Sequence, residues 1–350
     1  MKVVRFARMK TFYFPITLRL LAIPVLFAAQ SVAQLIPAPA PIADPADTRF
    51  RNVKEDWTTP ALTGSSLHPV EPLYGYVNDF DTYTVDFLQL QWRFGDPLDL
   101  YVMKPKGVKK PPVILYLYGY PAGTERFQDP TFQKTVTKNG YAAVGFVSAL
   151  TGHRYHDRPM REWFVSELPE CLATSAHDVQ MILNYLESRG DFDMSRVGMY
   201  AQGSGASIAI LASAVDPRIK VLDATDPWGA WPVWFANSTF PPEEERADYL
   251  KPQFLGKAAP LDPLDWLPRI KAEKFRLQDA TFETTTPKTA KEKIRAAVPP
   301  GSTVVIFKTP EEFNASVRSQ SELSWIEQHL SALLEPGTPG ATLAQRHSAK

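Results

Sequence analysis

The chain has 350 residues, of which 44% are hydrophobic and 22% are charged, and its 38 basic residues balance its 38 acidic residues. This length is enough for one large domain or two small ones, and the composition excludes a disordered or fibrous protein. The balanced charge gives no basis for nucleic-acid binding, which needs a clustered basic face. The single cysteine, Cys171, excludes an intrachain disulfide.

Residues 1–33 are predicted to be a secretory signal peptide. They carry five basic residues and no acidic one, then the apolar run 20–29 and the small-residue sequence SVA, so we expect cleavage after Ala33. A retained N-terminal anchor is the alternative, but the apolar run is shorter than the roughly 20 residues that span a bilayer. We expect a secreted or periplasmic protein without a stable membrane span after cleavage.

Two other segments flank the predicted folded domain, which covers residues 80–334. Residues 34–79 are predicted to be a Pro/Ala-rich linker and N-terminal extension, because LIPAPAPIADPAD at 35–47 cannot sustain a helix or a paired strand. Residues 335–350 are predicted to be a disordered tail.

The domain begins with a predicted antiparallel pair of strands. Residues 83–92 alternate in polarity, and residues 98–103 follow across the turn sequence FGDP. Six later apolar runs have the composition of buried parallel strands. They span residues 113–117, 141–147, 196–201, 219–225, 274–279 and 302–307.

Helical patterns separate these runs. Apolar residues recur at three- and four-residue spacing from Leu172 to Leu186, and Gly190 ends that helix. Residues 204–215 are apolar nearly all round, and residues 321–334 are amphipathic. The alternation predicts an α/β fold with a mostly parallel eight-stranded sheet and helices on both faces.

Five motifs in chain order resemble those of the α/β-hydrolase superfamily over residues 80–334. They are LYLYGYP, SAHDVQMILNYL, SRVGMYAQGSGAS, DPRIKVLDATDPWG and PLDWLPRIKAEKFRLQD. The sequence is most similar in character to acetyl-xylan esterases, dienelactone hydrolases and prolyl-oligopeptidase-like enzymes. The resemblance implies a Ser-His-Asp triad that transfers an acyl group of an ester or peptide to water. No Cys/His spacing indicates a metal or other cofactor.

The nucleophile position has two candidates. The family turn places small residues two before and two after the nucleophile. Centring the turn on Gly203 makes these residues Ala201 and Gly205, which fit, whereas centring it on Ser204 puts Gln202 in a crowded position. We therefore predict that Gly203 occupies the nucleophile position, and a shifted turn with Ser204 as nucleophile is the alternative.

The base position lacks a histidine. In the superfamily a histidine follows the last strand by a few residues. Here that segment is KTPEEFNAS, with Glu311 and Glu312, and an exposed carboxylate is too weak a base for a serine hydroxyl. His153 and His156, in the loop after the fourth sheet strand, are weak candidates for a substitute base.

The remaining candidate roles follow from the same resemblance. Glu283, after strand 274–279, and Asp226, after strand 219–225, are alternative candidates for the catalytic acid, and each has a turn role as its alternative. The backbone N–H groups of Tyr120 and Ser204 are predicted to form the oxyanion hole.

An aromatic group is predicted at the carboxyl edge of the sheet, where ligands bind in open α/β folds. Tyr118 replaces the usual histidine of the oxyanion loop, and Trp228 and Trp231 follow a sheet strand. The tryptophans either stack on a sugar or flat apolar ligand or form the core of a small helical cap. His177, His329 and His347 are predicted to be surface residues.

Two functions remain open from the sequence. In the first, an exported α/β-hydrolase homologue has lost its triad and binds a small molecule or a partner. In the second, the protein is an ester or peptide hydrolase with Ser204 as nucleophile. A different chemistry in the same pocket is a third option, since a fold does not fix a function.

Overall fold

A computed structural model of the protein describes residues 52–150, 154 and 167–333. The predicted signal peptide, the predicted tail, and His153, His156 and His347 lie outside these residues. Among the residues that are described, no helix is long and apolar enough to cross a membrane.

The described residues form one sheet of nine strands in the order β1-β2-β3-β5-β4-β6-β7-β8-β9. The strands are β1 (Tyr74–Asp79), β2 (Tyr83–Leu90), β3 (Leu98–Pro105), β4 (Pro112–Leu117), β5 (Ala142–Phe146), β6 (Asp193–Gln202), β7 (Ile219–Thr225), β8 (Lys274–Ala280) and β9 (Thr303–Phe307). Strands β1, β2, β3 and β5 pair antiparallel. Strands β5, β4 and β6 to β9 pair parallel.

This mostly parallel sheet confirms the predicted α/β fold class, with one strand more than the eight that were predicted. The additional strand is β1, which lies within the predicted extension and pairs with β2 along its whole length. Its sequence, YGYVND, lacks the alternation of a half-buried strand, and Val77 is exposed. An edge strand of this kind shows little of the apolar–polar alternation from which strands are predicted.

Eleven α-helices occur in the described ranges. They are α1 (Glu125–Gln128), α2 (Pro130–Thr137), α3 (Leu168–Arg189), α4 (Ser204–Val215), α5 (Trp231–Asn237), α6 (Arg246–Tyr249), α7 (Pro252–Ala258), α8 (Pro263–Trp266), α9 (Lys288–Ala296), α10 (Pro310–Arg318) and α11 (Ser321–Ser331). Helix α3 ends at Gly190, which adopts the left-handed conformation at φ 69° that favours glycine.

Two apolar clusters form the core. One contains residues of α3 and α4, such as Ile182 and Ile208. The other contains Phe127 and Val136 from α1 and α2 together with Ile326 from α11. The sheet is thus covered on both faces, as its apolar strands require. The carboxyl ends of β4, β6, β7 and β8 meet at one edge, and this edge holds the candidate site.

Candidate active site

Gly203 forms the apex of the turn between β6 and α4. Its backbone lies at φ 58° and ψ −127°, a conformation that L side chains rarely adopt. Two nearby glycines, Gly205 in α4 and Gly119 after β4, allow the backbones of these segments to approach closely. A Cβ at Gly205 would lie 2.4 Å from the Leu117 carbonyl oxygen, and one at Gly119 would lie 2.7 Å from the Gln202 carbonyl oxygen. At Gly203 itself, a Cβ would meet nothing closer than 3.6 Å. The apex therefore has room for a side chain that this protein lacks.

Ser204 is the first residue of α4, and its side chain lies in the protein interior. It is fully buried, and its Oγ accepts a hydrogen bond of 2.8 Å from the backbone N–H of Tyr120. Ser204 is absent from the walls of the cavity described below. One of the two predicted oxyanion-hole donors is thus already bound to a side chain of the protein.

A cavity of about 770 Å³ opens beside Gly203 at the carboxyl edge of the sheet. Its walls include six residues named from the sequence and several that were missed. The residues named from the sequence are Tyr118, Tyr120, Gly203, Asp226, Trp228 and Glu283. Other wall residues, which were not predicted to belong to the site, include Glu125, Arg126, Gln202, Phe240, Thr286 and Lys291.

Asp226 follows β7 and lies on the cavity wall with φ 47°. Its Oδ1 accepts a hydrogen bond of 2.8 Å from the Ala280 backbone N–H and lies 3.0 Å from the Lys291 Nζ. Burial raises the Asp226 pKa to about 6, although Lys291 opposes the shift. Its Oδ2 has no hydrogen-bond partner within the described residues. Asp226 is therefore a carboxylate with one oxygen bound inside the protein and the other available to a ligand.

Lys291 connects three oxygen atoms under the cavity. Besides Asp226, its Nζ donates to the Ala280 carbonyl oxygen at 2.5 Å and lies 3.5 Å from Asp279 Oδ1. The side chain is buried although it belongs to the strongly amphipathic helix α9. A signal was present in the sequence, because Lys291 falls between the apolar positions Ala290 and Ile294 on the inner face of that helix.

Glu283 and Arg126 lie at the cavity rim, and both side chains are exposed. Glu283 has no side-chain hydrogen bond or ion pair among the described residues. The Arg126 guanidinium lies 4.7 Å from the ring centroid of Tyr118, a cation–π distance. Burial raises the Tyr118 pKa to about 12, so its hydroxyl stays protonated at neutral pH.

The predicted aromatic group is divided between core and cavity. Trp231, Trp234 and Phe235 are buried within the helices that follow β7. Trp228 stacks on Trp234 at 5.1 Å and contacts Phe240 at 5.0 Å between ring centroids. Trp228 lines the cavity, but only 3% of its surface is exposed. The structure therefore favours the helical-cap alternative for Trp231 and leaves little of the Trp228 face for stacking on a ligand.

Comparisons with known proteins identify the architecture. No protein-family model and no curated protein sequence matches this chain. Among solved structures, acetyl xylan esterase 1 from Thermoanaerobacterium sp. has a TM-score of 0.55 at 14% identity, covering 73% of this chain and 89% of that one. The acetyl xylan esterase of Paenibacillus sp. has a TM-score of 0.53 at 17% identity, covering 72% and 89%. The acylaminoacyl peptidase of Pyrococcus horikoshii has a TM-score of 0.52 at 15% identity, covering 76% of this chain but 44% of that one.

The protein has the α/β-hydrolase fold. At these identities the similarity establishes the fold and leaves the chemistry to the residues. In this hydrolase fold the strand-to-helix turn is complete, and the residue at its apex is glycine.

The segment after β9, where a hydrolase of this fold is expected to hold its histidine, turns directly into helix α10. The Thr309 Oγ1 accepts a hydrogen bond from the Glu312 backbone N–H, and the Glu312 carboxylate accepts one of 2.7 Å from the Lys308 backbone N–H. Neither Glu311 nor Glu312 lines the cavity. Both carboxylates begin a helix, where negative charge is stabilising.

The described histidines lie elsewhere. His68 is exposed and His329 is half-buried in α11, and neither lines the cavity. The prediction that His177 is a surface residue is wrong. His177 is fully buried, with Nδ1 2.7 Å from the Glu55 carboxylate and Nε2 2.9 Å from the Thr59 carbonyl oxygen. The polar flank of α3 is covered by the segment around Glu55, which helical periodicity alone does not reveal.

Proposed function

We propose that the protein is an exported α/β-hydrolase-fold protein that binds a small molecule at the former catalytic edge without hydrolysing it. The observation that carries this proposal is the apex of the turn. Gly203 stands where the fold presents its nucleophile, and glycine has no side chain to attack an acyl carbon. A covalent acyl intermediate therefore has no atom on which to form at that position.

The geometry of Ser204 supports the same proposal. A nucleophile must reach the substrate, and its hydroxyl needs a base within hydrogen-bond distance. The Ser204 Oγ instead lies in the protein interior on the Tyr120 N–H. The hydroxyl fills the place where that N–H would stabilise the oxyanion of a tetrahedral intermediate.

The absence of a base among the described cavity residues adds to this argument. None of the described histidines contributes to the cavity wall. Loss of one triad member typically lowers turnover by about 10⁴-fold, and the members act as a unit. A cavity with no nucleophile at the apex and no histidine among its described residues is not expected to support hydrolysis.

The cavity itself supports a binding function. Its volume of about 770 Å³ lies in the range of sites for small molecules, and such sites combine apolar walls with a few polar groups. Here the walls bring Trp228 and Phe240 next to Asp226 and Glu283.

The test of hydrolysis uses the purified chain with a fluorophosphonate probe and a short-chain nitrophenyl ester. We expect neither labelling nor turnover in the wild type, in Ser204→Ala or in Gly203→Ser. The last variant is informative because it adds a hydroxyl at the apex without adding a base. A Cβ there would meet nothing closer than 3.6 Å, although the positive φ of Gly203 strains any L residue. Labelling of the wild type that disappears in Ser204→Ala would instead identify an active hydrolase.

Export is tested separately. The full chain and a chain without residues 1–33 are expressed in a bacterium, and the periplasmic and cytoplasmic fractions are compared. We expect only the full chain in the periplasm, with its new N-terminus after Ala33. Retention of residues 1–33 in the membrane fraction would contradict the signal-peptide prediction.

A further inference from the structure

The charged groups around the cavity differ in number and in how far the protein already pairs them. Its walls hold three carboxylates and two cations. The carboxylates are Glu125, Asp226 and Glu283, and the cations are Arg126 and Lys291. The Lys291 ammonium is less available to a ligand, because it is already directed at oxygens of Asp226, Ala280 and Asp279. The balance of the cavity therefore favours a ligand of positive charge.

Three hydrogen-bond donors of cavity-lining residues are used inside the protein. The Tyr120 N–H donates to Ser204 Oγ, and the Gly203 N–H donates to the Thr225 carbonyl oxygen at 2.8 Å. The Thr286 hydroxyl donates to the Pro227 carbonyl oxygen at 3.2 Å. These three groups do not need an acceptor from a ligand.

Asp226, in contrast to these donors, has a hydrogen-bond acceptor that is not used inside the described part of the protein. Its Oδ1 receives both the Ala280 N–H and Lys291, while Oδ2 has no partner among the described residues. The side chain is 15% exposed and lines the cavity. A carboxylate oxygen in such a position accepts strong hydrogen bonds from a charged donor.

Aromatic rings line the same cavity as this carboxylate. Tyr120 and Phe240 form an edge-to-face pair at 5.9 Å between centroids, and Trp228 lies against Phe240. All three residues line the cavity. Ammonium groups are attracted both to carboxylates and to the faces of aromatic rings, and the rings of Tyr120 and Phe240 also suit an apolar group next to the charge.

We propose that the cavity binds a small molecule with a protonated amine attached to an apolar or aromatic group, and that Asp226 Oδ2 accepts a hydrogen bond from the ammonium. This inference rests on the proposed function, in which the cavity binds a ligand without hydrolysing it. It names the ligand class and the residue that selects it.

Burial and the charged groups around Asp226 determine its pKa, and this pKa determines the pH below which binding is lost. Lys291 from α9 faces Asp226, and Asp279 from β8 shares that lysine while also pairing with Arg295. Glu283 lies on the same rim. Burial raises the Asp226 pKa to about 6, whereas an amine keeps its proton up to a pH of about 10. Binding is therefore expected above pH 6 and is lost as the pH falls and Asp226 becomes protonated.

The experiment compares three probes that share one ring: benzylamine, benzyl alcohol and benzoate. Binding to the purified chain is measured by ligand-observed NMR at neutral pH. We expect benzylamine to bind at least about tenfold more tightly than benzyl alcohol, which is the ratio that one charge-assisted hydrogen bond supplies. Benzoate is expected to bind most weakly.

Asp226→Asn is the decisive variant. It is expected to lower benzylamine affinity about tenfold or more and to leave benzyl alcohol unchanged. Asp81→Asn is the matched control, because Asp81 is exposed in the turn between β1 and β2 and the substitution changes net charge equally. The pH titration of the wild type provides a second measurement that does not depend on the folding of a variant.

Three results would overturn the inference: benzoate binding as tightly as benzylamine, no binding of benzylamine, or equal benzylamine affinity in the wild type and Asp226→Asn. Failure of the proposed function has a different signature, namely fluorophosphonate labelling that depends on Ser204. A chain without labelling and without a preference for amines would contradict only the ligand class.

Discussion

Two aspartates, the buried Asp178 and the half-buried Asp226, occupy opposite kinds of environment. Asp178 lies on α3, and both its oxygens are engaged: Oδ1 accepts from Arg93 at 2.5 Å and from Trp92 Nε1 at 3.0 Å, and Oδ2 accepts from Arg154. Asp226 lines the cavity and has one lysine partner, shared with Asp279, while its Oδ2 has no hydrogen-bond partner among the described residues. The first is enclosed by cations, and the second borders a space that a ligand can fill.

The difference appears in the pKa of each carboxyl. Burial alone would raise the Asp178 pKa, but Arg154 and Arg93 outweigh burial and lower it to about 2. At Asp226 burial prevails over Lys291, and the pKa rises to about 6. The pKa values of the two aspartates therefore shift in opposite directions, because cations surround Asp178 more completely than Asp226. The fully paired group serves the fold, and the incompletely paired group is the better candidate for binding.

The largest loss in the free energy of unfolding is expected from Asp178→Asn. The amide keeps the shape of the side chain but leaves Arg93 and Arg154 without their common anion in the protein interior. Breaking a buried ion pair in this way costs about 3–5 kcal/mol. Urea denaturation should show a loss of this size relative to Glu170→Gln, an exposed position on the same helix. A loss below that of the control would mean that the pairing contributes nothing to stability.

Lys291→Met tests the environment of Asp226. Removal of the ammonium leaves two carboxylates with less compensation, and we expect the free energy of unfolding to fall by about 1–3 kcal/mol. The Asp226 pKa should rise further above 6, which NMR titration of the carboxyl group can follow. Lys288→Met, an exposed position in the same helix, is the matched control. An unchanged Asp226 pKa would show that Lys291 does not stabilise the carboxylate.

The pH dependence of stability separates the two aspartates by sign. Since the Asp178 pKa lies near 2 in the folded chain, its contribution is present above its ordinary pKa of about 4 and is lost as the pH falls towards 2. The stability advantage of the wild type over Asp178→Asn should therefore shrink by about 2 kcal/mol over that interval. An advantage that stays constant in acid would contradict the low pKa.

Sequence patterns predicted the parts of the molecule that depend on periodicity and chain order. The bounds of α4, residues 204–215, were expected from its apolar composition and agree with the structure. The assignment of Gly203 to the nucleophile position also rests on local information, the small residues Ala201 and Gly205 at fixed spacing, and it stays a prediction. Strand β1 was missed because an exposed edge strand has neither alternation nor a continuous apolar run.

The polar contacts of the site could not be predicted in the same way. Ser204 was recognised, but its bond to the Tyr120 N–H joins residues 84 positions apart. The pairing of Lys291 with Asp226 spans 65 positions, and that of His177 with Glu55 spans 122. Hydrophobic periodicity identifies the face that is buried but not the partner that a polar group meets there. Such contacts require the tertiary structure.

Asp226→Asn should have the smallest effect on stability and the opposite pH dependence. Because the folded Asp226 pKa is raised to about 6, the carboxyl favours folding while it is protonated and loses that contribution as the pH rises from about 4 through 6. The amide retains an acceptor for the Ala280 N–H but loses the charge that pairs with Lys291, so we expect a difference within about 1 kcal/mol at neutral pH.

The difference in stability between the variant and the wild type should move in favour of the variant as the pH rises from 4 to 6. For Asp178→Asn, the difference should move in favour of the wild type as the pH rises from 2 to 4. Parallel urea titrations of the two variants measure both slopes, and slopes of the same sign would mean that the two carboxylates are not differently paired. A small loss of stability together with a large loss of benzylamine affinity would place the role of Asp226 in binding rather than in folding.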